Sequence, residues 1–157
     1  MNEKALSVKQ PYAYLICKGI KNIENRTWRT NFRGRVYIHA SAKYANDHRN
    51  MTQLFNPKQW KEIEQRGLEA SICGSSFQLS AIIGHVDIVD CVINHSSIWA
   101  EKTEGIIDRN TKEFIAIRDN KIIYNWVLAN PVLFDKPILN VKGKLSFWDC
   151  STYLEGQ

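Results

Sequence analysis

A chain of 157 residues is long enough for one domain with a sizeable core, and 44% hydrophobic, 24% charged and 11% aromatic content fits neither a disordered chain, a fibre nor a membrane protein. The formal net charge is +5, yet residues 1–49 hold ten Lys or Arg against three Asp or Glu, while the remainder holds eleven against thirteen. A basic excess confined to the first third of the chain points to a polyanion meeting one face.

The opening MNEKALSVKQ lacks the apolar stretch and cleavage site of a signal peptide, and SAIIGHVDIVDCVIN (80–94) is interrupted by His85, Asp87 and Asp90. The expected location is therefore cytoplasmic, with no membrane contact. Next, QPYAYLICKG predicts a short helix: Pro11 suits its first turn, Lys18 complements the dipole in its last, and Gly19 suits a left-handed cap. IENRTW (23–28) reads as extended, which puts Glu24, Arg26 and Trp28 on one face and Ile23, Asn25 and Thr27 on the other. A turn at 31–34 leads into the strand RVYIHAS (35–41), with Val36, Ile38 and Ala40 facing one way and Tyr37, His39 and Ser41 the other.

Residues 44–66 read as a helical insertion, two helices split before Pro57 and stopped by Gly67. Leu79 to Val92 predicts one or two strands, with Gly84 a bulge or a point of close approach. Asp119-Asn120 is expected to turn a hairpin between EFIAIR and KIIYNWVL, and KGKLSFWDC (142–150) to form a closing strand that carries Lys144, Ser146 and Trp148 on one face. No linker divides the chain and no βαβ alternation appears. The expectation is a single α+β domain over 1–157, a small mixed or antiparallel β-barrel decorated by helices.

Glu24 is the only acid between Lys18 and Arg35, a stretch that also holds Lys21, Arg26, Arg29 and Arg33. Read as an ionised acceptor among cations, it can take hydrogen bonds from the amino edge of a flat heterocycle; Arg26 can hold a phosphate or carbonyl oxygen, and Trp28 can stack. Lys21 can serve as a point charge for phosphate or, once desolvated, as a base. His39 and Ser41 share a strand face that directs them toward the same centre, and Lys144 adds a further cation. His48, His85 and His95 have no partner that suggests chemistry. Five tryptophans interleaved with basic residues suit the stacking of unpaired bases. A Walker loop, GxGxxG and HExxH are all missing, and Cys17, Cys73, Cys91 and Cys150 stand at no metal-binding spacing, so neither cofactor nor metal is implied.

The run LSVKQPYAYLICKGIKNIENRTWRTNFRGRVYIHAS (6–41) resembles the opening of an ASCH domain, a family with a PUA-like β-barrel. GIKNIENR matches its GxKxxExR motif through Gly19, Lys21, Glu24 and Arg26, and AIIGHVDIVDC, NWVLANP and VKGKLSFW extend the similarity along the chain. The resemblance implies a cleft beside the barrel that binds RNA or a nucleotide. One branch of the family hydrolyses the amide of N4-acetylcytidine with the motif lysine and a threonine nucleophile; here that second position is Glu24, and the attacking hydroxyl is absent.

The leading reading is thus a binding module that holds RNA, a nucleotide or a nucleoside, its base modified or not, in a basic cleft. The alternative is a hydrolase on RNA or modified nucleosides, a metal-independent amidohydrolase or ribonuclease in which Lys21 and Glu24 are catalytic; the missing threonine disfavours it. A third, interaction with a protein partner that the sequence does not identify, rests on Leu54, Phe55 and Trp60 in the helical insertion.

Overall fold

A computed structural model of the protein describes residues 2–46, 51, 53–74, 77–118 and 121–157. In chain order the elements are β1 (Lys4–Gln10), α1 (Tyr12–Cys17), β2 (Ile23–Arg26), β3 (Gly34–Tyr44), α2 (Pro57–Gln65), α3 (Glu69–Gly74), β4 (Ala81–Val92), β5 (Gly105–Ile107), β6 (Phe114–Ala116), β7 (Tyr124–Ile138), β8 (Phe147–Asp149) and α4 (Ser151–Leu154). Strands dominate, as expected of an α+β chain with few helices. The main sheet runs β2-β7-β4-β3-β1-β8, parallel only between β1 and β3, and β5 and β6 form a separate hairpin.

The two ends of the main sheet approach one another through side chains rather than through a strand pair. Beyond β2, the Trp28 ring lies edge-on to Trp126 of β7 at 4.6 Å and to Phe147 of β8 at 5.6 Å, while Trp126 and Phe147 stack at 5.4 Å. Arg26 of β2 also donates from Nη2 to the Ser7 carbonyl of β1 at 3.0 Å. Among the described residues β2 and β8 are not hydrogen-bonded, so aromatic packing and one guanidinium bridge the gap. The apolar centre enclosed by this curl includes Leu6, Val8, Val36, Ile38, Val86 and the fully buried Trp126.

The first helix forms as its sequence suggests. Gln10 Oε1 accepts from the Tyr14 N–H at 2.9 Å, which satisfies one of the donors left open at a helix start. At the other end Gly19 takes φ +81°, and the Ile20 and Lys21 amides both reach back to the Leu15 carbonyl at 3.0 and 3.1 Å. Leu15 then packs with Ile20, Ile23, Ile63, Ile72 and Trp99 in a second apolar cluster, which anchors the start of β2 and the helices α2 and α3.

Several expectations are displaced. The strand β1 was not foreseen, although Leu6 and Val8 bury one of its faces and it lies inside the sheet between β3 and β8. Strand β3 continues to Tyr44, and α2 starts at Pro57, capped by Asn56, whose Oδ1 accepts from Gln59 N while Gln59 Oε1 accepts from Asn56 N. The second expected helix does begin at Pro57, and Gly67 separates it from α3, which continues to Gly74; residues 47–50 and 52 of the first expected helix lie outside the described residues. The proposed Asp119-Asn120 turn and His48 lie outside the described residues, but β6 pairs with β5 and β7 with β4 and β2, so the segments flanking that turn are not hairpin partners. Only Phe147–Asp149 of the expected closing strand is β-structure; Lys144 and Ser146 precede it, Ser146 at φ +56°.

Gly84 marks a close approach, as its place in an apolar strand suggests. A Cβ there would lie 2.0 Å from the Val132 carbonyl oxygen of β7 and 3.0 Å from Cys17 Sγ. The expected effect of Gly84→Ala is a loss of about 1–3 kcal/mol of stability through overpacking, read from urea unfolding. An unchanged midpoint would contradict the tight β4–β7 contact.

Candidate functional site

The turn after α1 and the four-residue β2 bring Lys21, Glu24 and Arg26 together. Lys21 is 5% exposed and Glu24 8% exposed, both unusual for charged residues. Each oxygen of the carboxylate faces a different cation. Oε2 accepts from Arg26 Nη2 at 2.9 Å and from Nε at 3.3 Å, whereas Oε1 lies 3.8 Å from Lys21 Nζ. The ammonium also donates to the Ile23 carbonyl and sits over the Tyr12 ring, 5.4 Å from its centroid. Burial pushes the Lys21 pKa below its ordinary value, and the neighbouring Arg26 acts in the same direction against the pull of Glu24 and Glu101. The Tyr12 phenol is pushed up, chiefly by burial and further by Glu101 and Glu24.

These groups form one wall of a cavity of about 710 Å³, a volume within the usual range for small-molecule sites. Tyr12, Trp99 and Glu101 complete the wall, with Lys9, Ser41 and Lys144 also on the lining. The back of β2 holds the Trp99 and Glu101 segment in place. Asn25 faces away from Glu24, its Nδ2 donating to the Trp99 carbonyl at 3.0 Å and its Oδ1 accepting from Glu101 N at 3.0 Å. Its register partner Asn125, fully buried, donates to Asn25 Oδ1 and to the Glu101 carbonyl and accepts from His95 N. Two amides thus bolt the segment 95–101 beside the cavity. Gln59 of α2 adds a bond to the Ile98 carbonyl at 2.9 Å.

Of the residues selected from sequence, Lys21, Glu24, Arg26, Ser41 and Lys144 meet at this cavity. Trp28 does not line it, because β2 ends at Arg26 and the indole turns into the packing against Trp126 and Phe147. His39 lies at an adjoining cavity of about 580 Å³, 2% exposed, with Nδ1 2.9 Å from Ser7 Oγ and Nε2 2.7 Å from the Val141 carbonyl. A carbonyl can only accept, so Nε2 carries the proton and Nδ1 of the neutral ring accepts from Ser7. Burial lowers the His39 pKa, against the pull of the Val141 carbonyl, and so favours that neutral form. Tyr12, Trp99 and Glu101 carried no local motif, and the sole hint in the sequence was the unusual number of tryptophans. The buried thiols of Cys17 and Cys150 are pushed up to about 12 and about 11, mainly by desolvation, so neither is a ready nucleophile.

Comparison with known proteins bears on the family and the fold. The family model of the ASCH domain matches residues 6–138. Over 120 residues, 73% of this chain, the sequence is 33% identical to activating signal cointegrator 1 of Homo sapiens and 28% identical to that of Mus musculus; the match spans 18% of each of those proteins. The fold is similar to the crystal structure of ASCH from Zymomonas mobilis, with a TM-score of 0.53 at 12% identity over 98% of this chain and 93% of that one. A mutant form of the same protein gives 0.51 at 13% identity.

The shared carboxylate predicts an asymmetry between two substitutions. Glu24→Ala leaves a buried lysine without its acid and should cost about 3–5 kcal/mol, whereas Lys21→Met leaves Glu24 paired with Arg26 and should cost less. Equal losses in denaturant unfolding would contradict the arrangement. His39 and His85 both have depressed pKa values, mainly through burial, so the unfolded chain binds more protons on the acid side. Their contribution to stability is complete above about pH 6.5 and is lost as pH falls through the lower folded-state values. His39→Gln should flatten the fall in melting temperature between roughly pH 6.5 and 5; an unaltered slope would assign the effect elsewhere.

Proposed function

The chain belongs to the ASCH domain family, PUA-like domains generally linked to RNA binding, and from that premise we propose that it holds a single base of RNA, of a nucleotide or of a nucleoside in the basic cavity beside β2. The observation that carries this reading is the half-used carboxylate of Glu24. Oε2 receives the Arg26 fork, but Oε1 lies at 3.8 Å from the lysine, outside hydrogen-bond distance, and keeps lone pairs for an amino edge presented from the cavity. The partly exposed Tyr12 contributes aromatic surface for a base in place of Trp28, with the largely buried Trp99 beside it on the lining. Arg26, Lys9 and Lys144 supply the positive rim that attracts phosphate. Among the described residues no helix is long and apolar enough to cross a membrane.

One observation favours a second reading, hydrolysis of RNA or of a modified nucleoside: burial makes Lys21 easier to deprotonate and therefore more available as a base. Glu24 stands where the amide-cleaving relatives carry threonine, so in such a reaction Lys21 and Glu24 would act on a water molecule or a ribose hydroxyl.

A calorimetric titration at low salt with nucleosides, nucleotides and short single-stranded RNAs separates these outcomes. The expected result is binding of an amino-bearing base that Glu24→Gln weakens about tenfold or more, the scale of a hydrogen bond to a charged group. Product released in the same incubation, and abolished by Lys21→Ala in a folded protein, would favour hydrolysis. Failure to bind any of these ligands would overturn the proposal.

A further inference from the structure

The base cavity does not end at β1. Ser7, Ser41, Lys144 and Leu145 line both it and the second cavity of about 580 Å³, so the two cavities adjoin along these four residues. The second cavity has a different character. Among the described residues its lining holds no acid; Lys142 and Lys144 are its cations, and Ser41, Ser80 and Asn140 are neutral groups that can donate hydrogen bonds. That inventory suits a phosphodiester and offers nothing base-specific.

The segment that builds this cavity is held in place by the groups that the first cavity leaves unused. The His39 ring, itself oriented by the Ser7 hydroxyl, donates to the Val141 carbonyl, and the Val141 amide donates to the Ser80 carbonyl at 2.8 Å. Between the two lysines, Gly143 is pressed so closely that a Cβ would lie 2.5 Å from both His39 Cε1 and Ser7 Oγ. Ser80 and Asn140, both on the lining of the cavity, take left-handed backbone, φ +51° and +58°, a conformation that costs a side-chain-bearing residue energy and is often found at binding sites. Leu145 stands at the junction of the cavities and is 93% exposed, an apolar side chain that contributes nothing to the core.

We propose that the second cavity holds the backbone phosphate next to the recognised base and that Leu145 packs against the neighbouring base, so that the ligand is a single-stranded RNA of two or more nucleotides rather than a free nucleoside. This rests on the base-binding reading of the first cavity. Phosphate contacts then set the register of the strand, and the Glu24 site reads one position of it.

Affinities of the four nucleosides, their 3′- and 5′-monophosphates and the four homodinucleotides, measured for the full chain at two salt concentrations, test the proposal. The dinucleotide of the preferred base should bind about tenfold tighter than its nucleoside, the scale of a hydrogen bond to a charged group. Its salt slope should be steeper by about 0.7 for the added phosphate. Lys142→Glu, which alters a residue of the second cavity alone, should remove that gain and leave nucleoside affinity unchanged. Nucleoside binding with no gain from the phosphate would overturn the strand proposal while leaving the base reading intact. A phosphate gain that Lys142→Glu removes, together with indifference to Glu24→Gln, would do the reverse. Absence of binding by every ligand would overturn both.

Discussion

The carboxylate of Glu24 is the group on which the rest of the site depends. Two cations approach it from different sides, one almost wholly buried, and such charges survive burial only when paired. The pairing also organises the chain around it. Lys21 sits at the end of the turn that closes α1, Glu24 is in the short edge strand β2, and Arg26 extends from that strand to the Ser7 carbonyl on β1. The sheet lacks a β2–β8 ladder among the described residues, so this guanidinium and the Trp28, Trp126 and Phe147 cluster are what bring its ends together. The charge triad therefore serves as a closure of the fold and as a cavity wall at once.

A strand has two faces, and β2 uses both for the site. Glu24 and Arg26 look into the cavity, while Asn25 between them reaches the loop that delivers Trp99 and Glu101. The buried Asn125 completes that junction with bonds to Asn25, Glu101 and His95. Elsewhere on the lining, Ser7 orients His39, which holds the Val141 carbonyl, so this segment too is tied to strands of the main sheet. Anchoring of this kind holds donors and acceptors in place before a ligand arrives, which lowers the ordering cost of binding.

How much of this was legible in the sequence follows from range. Gly19, Lys21, Glu24 and Arg26 lie within eight residues, where helix capping and strand alternation act locally, and the structure brings the three charged residues together at one cavity wall. The alternation failed one step later: β2 stops at Arg26, so Trp28 left the face it was assigned and joined the aromatic closure. Tyr12, Trp99 and Glu101 are contributed by a helix and a loop whose placement depends on the Asn25–Asn125 pair, a contact across 100 residues that no local pattern encodes. The strand β1 escaped notice for a similar reason, since its place between β3 and β8 is decided by tertiary pairing. The hairpin expected around 119–120 was misplaced because β-propensity identifies strands without identifying partners, and β6 pairs backward with β5.

Carbon-detected nuclear magnetic resonance of the side-chain carboxyl groups during titration with a single-stranded RNA reports whether the ligand engages Glu24. The Glu24 carboxyl and the Arg26 guanidinium resonances are expected to shift together and saturably, while Glu62 of α2, which pairs with Arg66, stays unchanged. Saturable binding that leaves Glu24 and Arg26 unmoved would place the ligand elsewhere on the protein and contradict the account.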